Sequence, residues 1–153
     1  MGEFIRKQAR ITVQQMSENP LVKKRKLPKQ GEVRFLDSCD PWVRKDVFSF
    51  ISKGLGEDLD WRDYDLELCA ACFDKGEPVA VFLIHENENG ELVPDEMFFS
   101  KDNAMGLKVM MAVNKRMVDR YPPDYPVLLV CKRKRGENLT RKLFPGIELE
   151  EVE

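Results

Sequence analysis

The sequence predicts an α/β (α+β) fold in which a mixed, mostly antiparallel sheet is flanked by helices, and three observations carry this. An apolar strand ending in Phe98-Phe99-Ser100 passes through a short polar turn into a long amphipathic helix that runs to Tyr121. Leu107, Met110, Met117 and Tyr121 recur at helical spacing, widened by Val109, Val113 and Val118. Lys108, Ala112, Lys115 and Asp119 form the wet stripe, so one face has to pack on a sheet. Upstream, three apolar runs are separated by Asp74-Lys75-Gly76-Glu77 and by Glu86-Asn87-Glu88-Asn89-Gly90, the turn chemistry of an antiparallel meander. Downstream, Val127 to Cys131 is apolar at every position, the pattern of a strand covered on both faces.

A chain of 153 residues holds one core. The expected division is an N-terminal extension and basic linker over residues 1–31, then the folded domain over residues 32–153. With 34% charged and 42% hydrophobic residues and a formal net charge of -2, the balance is that of a soluble globular protein. No apolar run reaches the length of a membrane span, and the amino terminus is charged and polar, so the expectation is a cytoplasmic protein without a membrane partner. Arg6 stands where a myristoylation signal requires Ser or Thr.

In chain order, Phe4 to Val13 reads as a strand or the start of a short helix, and its period does not decide between them. Val22 to Gly31 is a basic connector, readable as a localisation signal, a phosphate-binding patch or a solvated linker; it has no aromatic interleaving, which argues against nucleic acid as a partner. Glu32 to Leu36 reads as a strand. Asp40-Pro41 then supplies a cap and a first-turn proline for a helix that aligns Val43, Val47, Phe50 and Ile51 and stops near Gly54-Leu55-Gly56. Asp58 to Tyr64 is an acidic, aromatic segment: a surface connector with Trp61 tucked into the core, or the lining of a site for a cationic substrate.

The meander strands are Leu66 to Phe73, Val79 to Ile84 and Leu92 to Ser100, the last carrying Pro94, which needs a free edge or a bulge. Asp102 or Asn103 can cap the long helix, and Pro122-Pro123 ends it. A right-handed crossover through that helix lays Val127 to Cys131 parallel to Met97 to Ser100. Lys132 to Arg135 reads as a solvated basic turn or a grip on phosphate. A short helix follows over Asn138 to Phe144, and then an acidic tail. Cys69 and Cys72 lie three apart in a strand, on opposite faces, so buried reduced thiols are expected and no metal site.

This order of elements, the hairpin Cys72-Phe73-Asp74-Lys75-Gly76-Glu77-Pro78-Val79, the strand-turn-helix from Phe98, and Asn138-Leu139-Thr140-Arg141-Lys142-Leu143-Phe144-Pro145-Gly146-Ile147 resemble the GNAT superfamily of N-acyltransferases over residues 32 to 149. The resemblance implies acetyl-CoA (an acyl-CoA) as co-substrate, a small-molecule or peptide amine as acceptor, and a gap between two diverging strands that holds the pantetheine arm. Carried onto this chain, Phe98, Phe99 and Ser100 line the arm. Lys101, Ala104, Gly106 and Leu107 offer the helix start to the pyrophosphate. Asn138 contacts the cofactor or caps its helix. The loop Lys101-Asp102-Asn103-Ala104-Met105-Gly106 departs from the family pattern, with one glycine and an aspartate. Glu96, two residues before the gap, is the candidate catalytic base, or a solvent-facing strand residue; His85 is the alternative base, or a surface histidine near a turn. The family's last strands are barely represented after Ile147, so that sheet edge is left to Phe4 to Val13 or to a second copy of the chain in a homodimer. Beside the acyltransferase stands a second reading, a catalytically inactive GNAT-like interaction module.

Overall fold

A computed structural model of the chain describes residues 4–18, 29–100 and 103–152. The strands are β1 (Lys7–Thr12), β2 (Glu32–Phe35), β3 (Ala70–Asp74), β4 (Glu77–Glu86), β5 (Leu92–Phe99), β6 (Pro126–Cys131) and β7 (Glu150–Glu151). They form one sheet in the order β2-β3-β4-β5-β6-β1-β7. Every neighbouring pair is antiparallel except β5 and β6, which are parallel. The helices are α1 (Val13–Ser17), α2 (Pro41–Leu55), α3 (Asn103–Arg120) and α4 (Lys134–Leu143).

The sheet carries a core on each face. On one, α1, α3 and the end of α4 bury Met16, Met110, Val113, Met117 and Leu143 against Ala80, Phe82, Ile84 and Leu129. On the other, α2 buries Val47, Phe48 and Ile51 against Ala71, Val81 and Leu83, each large side chain contributing about 1.5–3 kcal/mol of transfer free energy. Helix α2 starts with Pro41 in its first turn and ends at Gly56 in the left-handed region, φ 69°, as Pro-first and Gly-last sequences do. Asp40 makes no side-chain cap bond, however, so proline geometry sets that start. Gly54 lets α2 approach β5: a Cβ there would lie 2.3 Å from the Phe98 ring.

Several expectations are corrected. Residues 7–17 are no extension. β1 pairs along its length with β6, from Lys7 with Cys131 to Thr12 with Pro126, so of the two expected occupants of that edge it is the segment Phe4 to Val13 that fills it. The run from Leu66 becomes a strand only at Ala70, because Leu68 and Cys69 donate backbone bonds to Asp65 and Leu66 in a turn. Trp61 sits in a one-turn 3-10 helix and is 55% exposed, not in the core. Val118 is exposed although its spacing suggested the packed face. Helix α4 starts four residues before Asn138, which makes Asn138 a mid-helix residue and no cap. Most of the basic connector, Asp102 and Lys101 fall outside the described residues.

Cys69 and Cys72 point to opposite faces as expected, although Cys69 lies in the turn just before β3 and not in the strand. Cys69 faces the α2 core and Cys72 the α3 core, and all four cysteines are free. Among the described residues no cluster of His, Cys, Asp and Glu has metal-binding geometry, and no helix is long and apolar enough to cross a membrane.

Candidate functional site between two diverging strands

The parallel pair β5 and β6 shares one ladder position, Leu92 with Val127. β5 is paired on its other edge with β4 and β6 with β1, so past Leu92 and Val127 the facing edges carry main-chain groups without a ladder partner among the described residues. The local cause lies in β5. Pro94 has no N–H, and the β4–β5 register jumps from Ile84 with Pro94 to Leu83 with Glu96, leaving Asp95 as the extra residue of a bulge. A bulge bends its strand and re-aims its side chains, and here β5 turns away from β6. One expectation is corrected: the parallel pairing lies at Leu92 with Val127 and not at Met97 to Ser100, and Glu96 is met by Lys132 and Arg133, which follow β6.

The cleft opened in this way measures about 790 Å³. Of the candidate residues, Glu96, Phe98, Phe99, Gly106, Leu107 and Asn138 line it, whereas Ser100 and Ala104 do not. Ser100 is exposed, and its N–H donates to the Val79 carbonyl at 3.0 Å, continuing the β4 side of the ladder. Gly106 has a packing reason to be glycine: a Cβ would stand 2.8 Å from Cδ1 of Phe99 and 3.3 Å from Cε of Met97.

Where the ladder stops, side chains bridge the strands. The Lys132 ammonium donates to Asp95 Oδ1 and, at 3.0 Å, to Glu96 Oε1; Arg133 Nη1 donates to Glu96 Oε2 at 3.0 Å and Nη2 lies 2.5 Å from Glu57 Oε2. The Glu96 side chain is 1% exposed, so it is not the solvent-facing strand residue that the alternation of the strand allowed. Burial pulls the Lys132 ammonium down, but the bond and charge of Asp95, then those of Glu96, outweigh it and hold its proton above the ordinary lysine range. Lys132 is therefore a fixed cation at neutral pH. His85 stands behind this cluster, Nδ1 3.0 Å from Asp95 Oδ2, off the line a hydrogen bond requires, and it does not line the cleft. Burial, then the charges of Asp95 and Glu96, push the Tyr64 phenol up.

Residue-by-residue sequence reading missed this network. Its signal was the pair of adjacent carboxylates after Pro94 together with the cations that follow an apolar strand. Exposed Arg135 and Lys142 sit on the rim of the same cleft, on α4. That helix is tied to β1 by Glu137, which accepts from Lys7 Nζ at 3.0 Å and from Arg141 Nε at 2.9 Å; these two bonds, with Lys134 adding its charge, hold the Glu137 carboxyl down at about 2.

A second groove, about 890 Å³, lies between the start of α2 and residues 58–62. Its acidic residues Asp58 and Asp60 are matched by Arg44, Lys45 and Arg62, and Arg62 closes on Asp60, so it presents no net draw for a cation. The β5–β6 cleft is the better site because an open main-chain edge and a buried charge cluster converge there.

No family model and no curated protein matches the chain. Among solved structures it is similar to a functionally unknown conserved protein from Staphylococcus epidermidis ATCC 12228, with a TM-score of 0.52 and 14% identity, over 96% of this chain and 58% of that one. The chain thus spans somewhat more than half of that neighbour's length, and the likeness at this identity is one of fold, an α+β sheet that is antiparallel apart from one parallel pair.

Proposed function

We infer that the protein is an acyl-CoA-dependent N-acyltransferase of the GNAT type, acting on a small-molecule or peptide amine. The observation that carries this reading is the divergence of β5 from β6 after Leu92 and Val127. An extended thioester arm is a chain of amides, and a strand edge with free N–H and C=O groups is the surface that binds it. The rim suits the anionic end of such a ligand, because Arg135 and Lys142 on α4 stand there exposed. Gly106 and Leu107 of α3 and Asn138 of α4 line the same cleft.

In the reaction the acceptor nitrogen bonds to the thioester carbonyl carbon, the carbon–sulfur bond breaks, CoA leaves as the thiol and the amine gives up a proton. A base needs a lone pair aimed at that amine. Both Glu96 oxygens are engaged by Lys132 and Arg133, so proton transfer to Glu96 requires one of these bonds to be exchanged for the substrate. Acetyl-CoA at a hundred times its Kd stabilises a native state by about 2.7 kcal/mol, a Tm rise of roughly 5–10 °C for a domain of this size. No rise at millimolar acetyl-CoA would remove the reading.

The engagement of Glu96 favours a second reading, an inactive module of the same fold that binds without turnover. Release of CoA thiol across a panel of primary amines separates the two: binding without release supports the module.

A further inference from the structure

Resting on that reading, we propose that Asp95, backed by His85, takes the proton from the acceptor amine, and that Glu96 serves to hold the two cations in place. The bulge puts Asp95 in position. Neighbouring residues of a regular strand point to opposite faces, yet the Lys132 ammonium donates to both Asp95 Oδ1 and Glu96 Oε1, so the extra residue of β5 has brought two consecutive carboxylates to one side. Their oxygens are not equally occupied. Both oxygens of buried Glu96 accept from cations. The Asp95 side chain is 13% exposed and lines the cleft, and its Oδ2 accepts no hydrogen bond among the described residues.

What faces that oxygen is His85 Nδ1, 3.0 Å away, buried and without a hydrogen-bond partner. Catalytic hydrogen bonds are often misaligned until substrate arrives. With the ring proton on Nε2, two acceptors face each other across a gap that one proton fills. The His85 side chain is 30% exposed although Nδ1 is not, so the ring reaches solvent on its other side. Around the pair stand Tyr64, edge-on to the imidazole and kept neutral by burial, Glu96 on β5, and Lys132 and Arg133 after β6. The neighbouring acids Asp65 and Glu86 are engaged by the Glu86 N–H and by the Tyr125 hydroxyl.

An amine arrives at neutral pH as an ammonium. One proton passes from it to Asp95 Oδ2 and on to His85 Nδ1, and the imidazolium returns a proton to solvent. The freed nitrogen then bonds to the thioester carbonyl carbon, the carbon–sulfur bond breaks, and the second N–H proton ends on the CoA sulfur. Each acyl group transferred thus releases one proton to solvent.

The test is release of CoA thiol from acetyl-CoA and a primary alkylamine, followed from about pH 6 to about pH 10, where the ammonium loses its proton unaided. Asp95→Asn and His85→Gln should each lower kcat/KM about a hundredfold or more at neutral pH, with the deficit closing towards the alkaline end. Glu96→Gln should lower it by a factor that does not change with pH. A His85→Gln deficit equal at every pH, or a deficit that closes only in Glu96→Gln, overturns the proposal and leaves the acyltransferase reading in place. Release from no amine at any pH by the wild type removes both. If the variants fail to fold, the wild type decides, because His85 is the one histidine of the chain and its imidazole nitrogen chemical shifts report its tautomer directly. The proposal requires the neutral ring to carry its proton on Nε2, and a proton on Nδ1 overturns it.

Discussion

Gly106 allows a packing role to be separated from a ligand role at one position. In the first turns of α3 a glycine costs about 1 kcal/mol relative to alanine, so Gly106→Ala in open space would stabilise the protein by that amount. The structure denies it the space. The new methyl would lie 2.8 Å from Cδ1 and 3.2 Å from Cγ of Phe99 and 3.3 Å from Cε of Met97. The methionine end can swing aside; the ring cannot do so cheaply, since Phe99 packs against the α3 core. Overpacking of this kind costs about 1–3 kcal/mol, which leaves a net loss of about 1 kcal/mol and a Tm lower by roughly 2–4 °C. In a Phe99→Leu background the penalty should largely disappear, giving a coupling energy of at least about 0.5 kcal/mol in a double-mutant cycle. Thermal denaturation of the four proteins measures it. A Gly106→Ala variant that melts 2–4 °C higher than wild type, with no coupling to Phe99, would refute the packing argument and leave ligand approach as the reason for the glycine.

Other outcomes follow from the same geometry. Glu137 has a folded-state pKa of about 2 against an ordinary 4.5, so its contribution to stability is complete above about pH 4.5 and is lost as pH falls towards 2. The Tm difference between wild type and Glu137→Gln should therefore be largest at neutral pH and close across that window; a difference independent of pH would contradict the clamp on Lys7 and Arg141. Asn114, buried on α3, donates through Nδ2 to the Met16 carbonyl at 3.1 Å, and Asn114→Ala should cost about 1–3 kcal/mol in chemical denaturation because that carbonyl is left unpaired. Glu96→Ala should destabilise by about 1.5–3 kcal/mol and release Lys132 and Arg133, and an unchanged midpoint would mean that the bridge across the strands carries no energy. With a thiol reagent, half-buried Cys39 should react in the native protein, while Cys69, Cys72 and Cys131 wait for unfolding; burial pushes the Cys69 thiol up to about 12.

The elements that hydrophobic period and turn chemistry control were legible. The α2 helix from Pro41 to Gly56, the Lys75-Gly76 hairpin and the apolar β6 strand all stand where local residues put them, because each is decided within a few residues. What could not be read was set by partners distant in sequence. Phe4 to Val13 was ambiguous because its strand half exists only through β6, over a hundred residues away. Leu66 to Cys69 carries strand residues but is bent by bonds to Asp65 and Leu66. Pro94 announced a bulge or an edge, and both the bulge at Asp95 and the opening beyond it are present. Which cations would meet Glu96 was not legible, since the basic run from Lys132 looks equally well solvated until the parallel pairing of β5 with β6 brings Lys132 and Arg133 to Glu96. The start of α4 was placed late because Asn138 looked like a cap, whereas Lys134 to Glu137 already form its first turn.

The most direct test of the central claim is an amide chemical-shift titration of the labelled protein with CoA. The account predicts perturbations confined to residues 95–99, 106–110 and 129–143, the two strand edges and the helix surfaces that line the cleft. Shifts clustered instead around residues 41–62, or none at millimolar ligand, would contradict it.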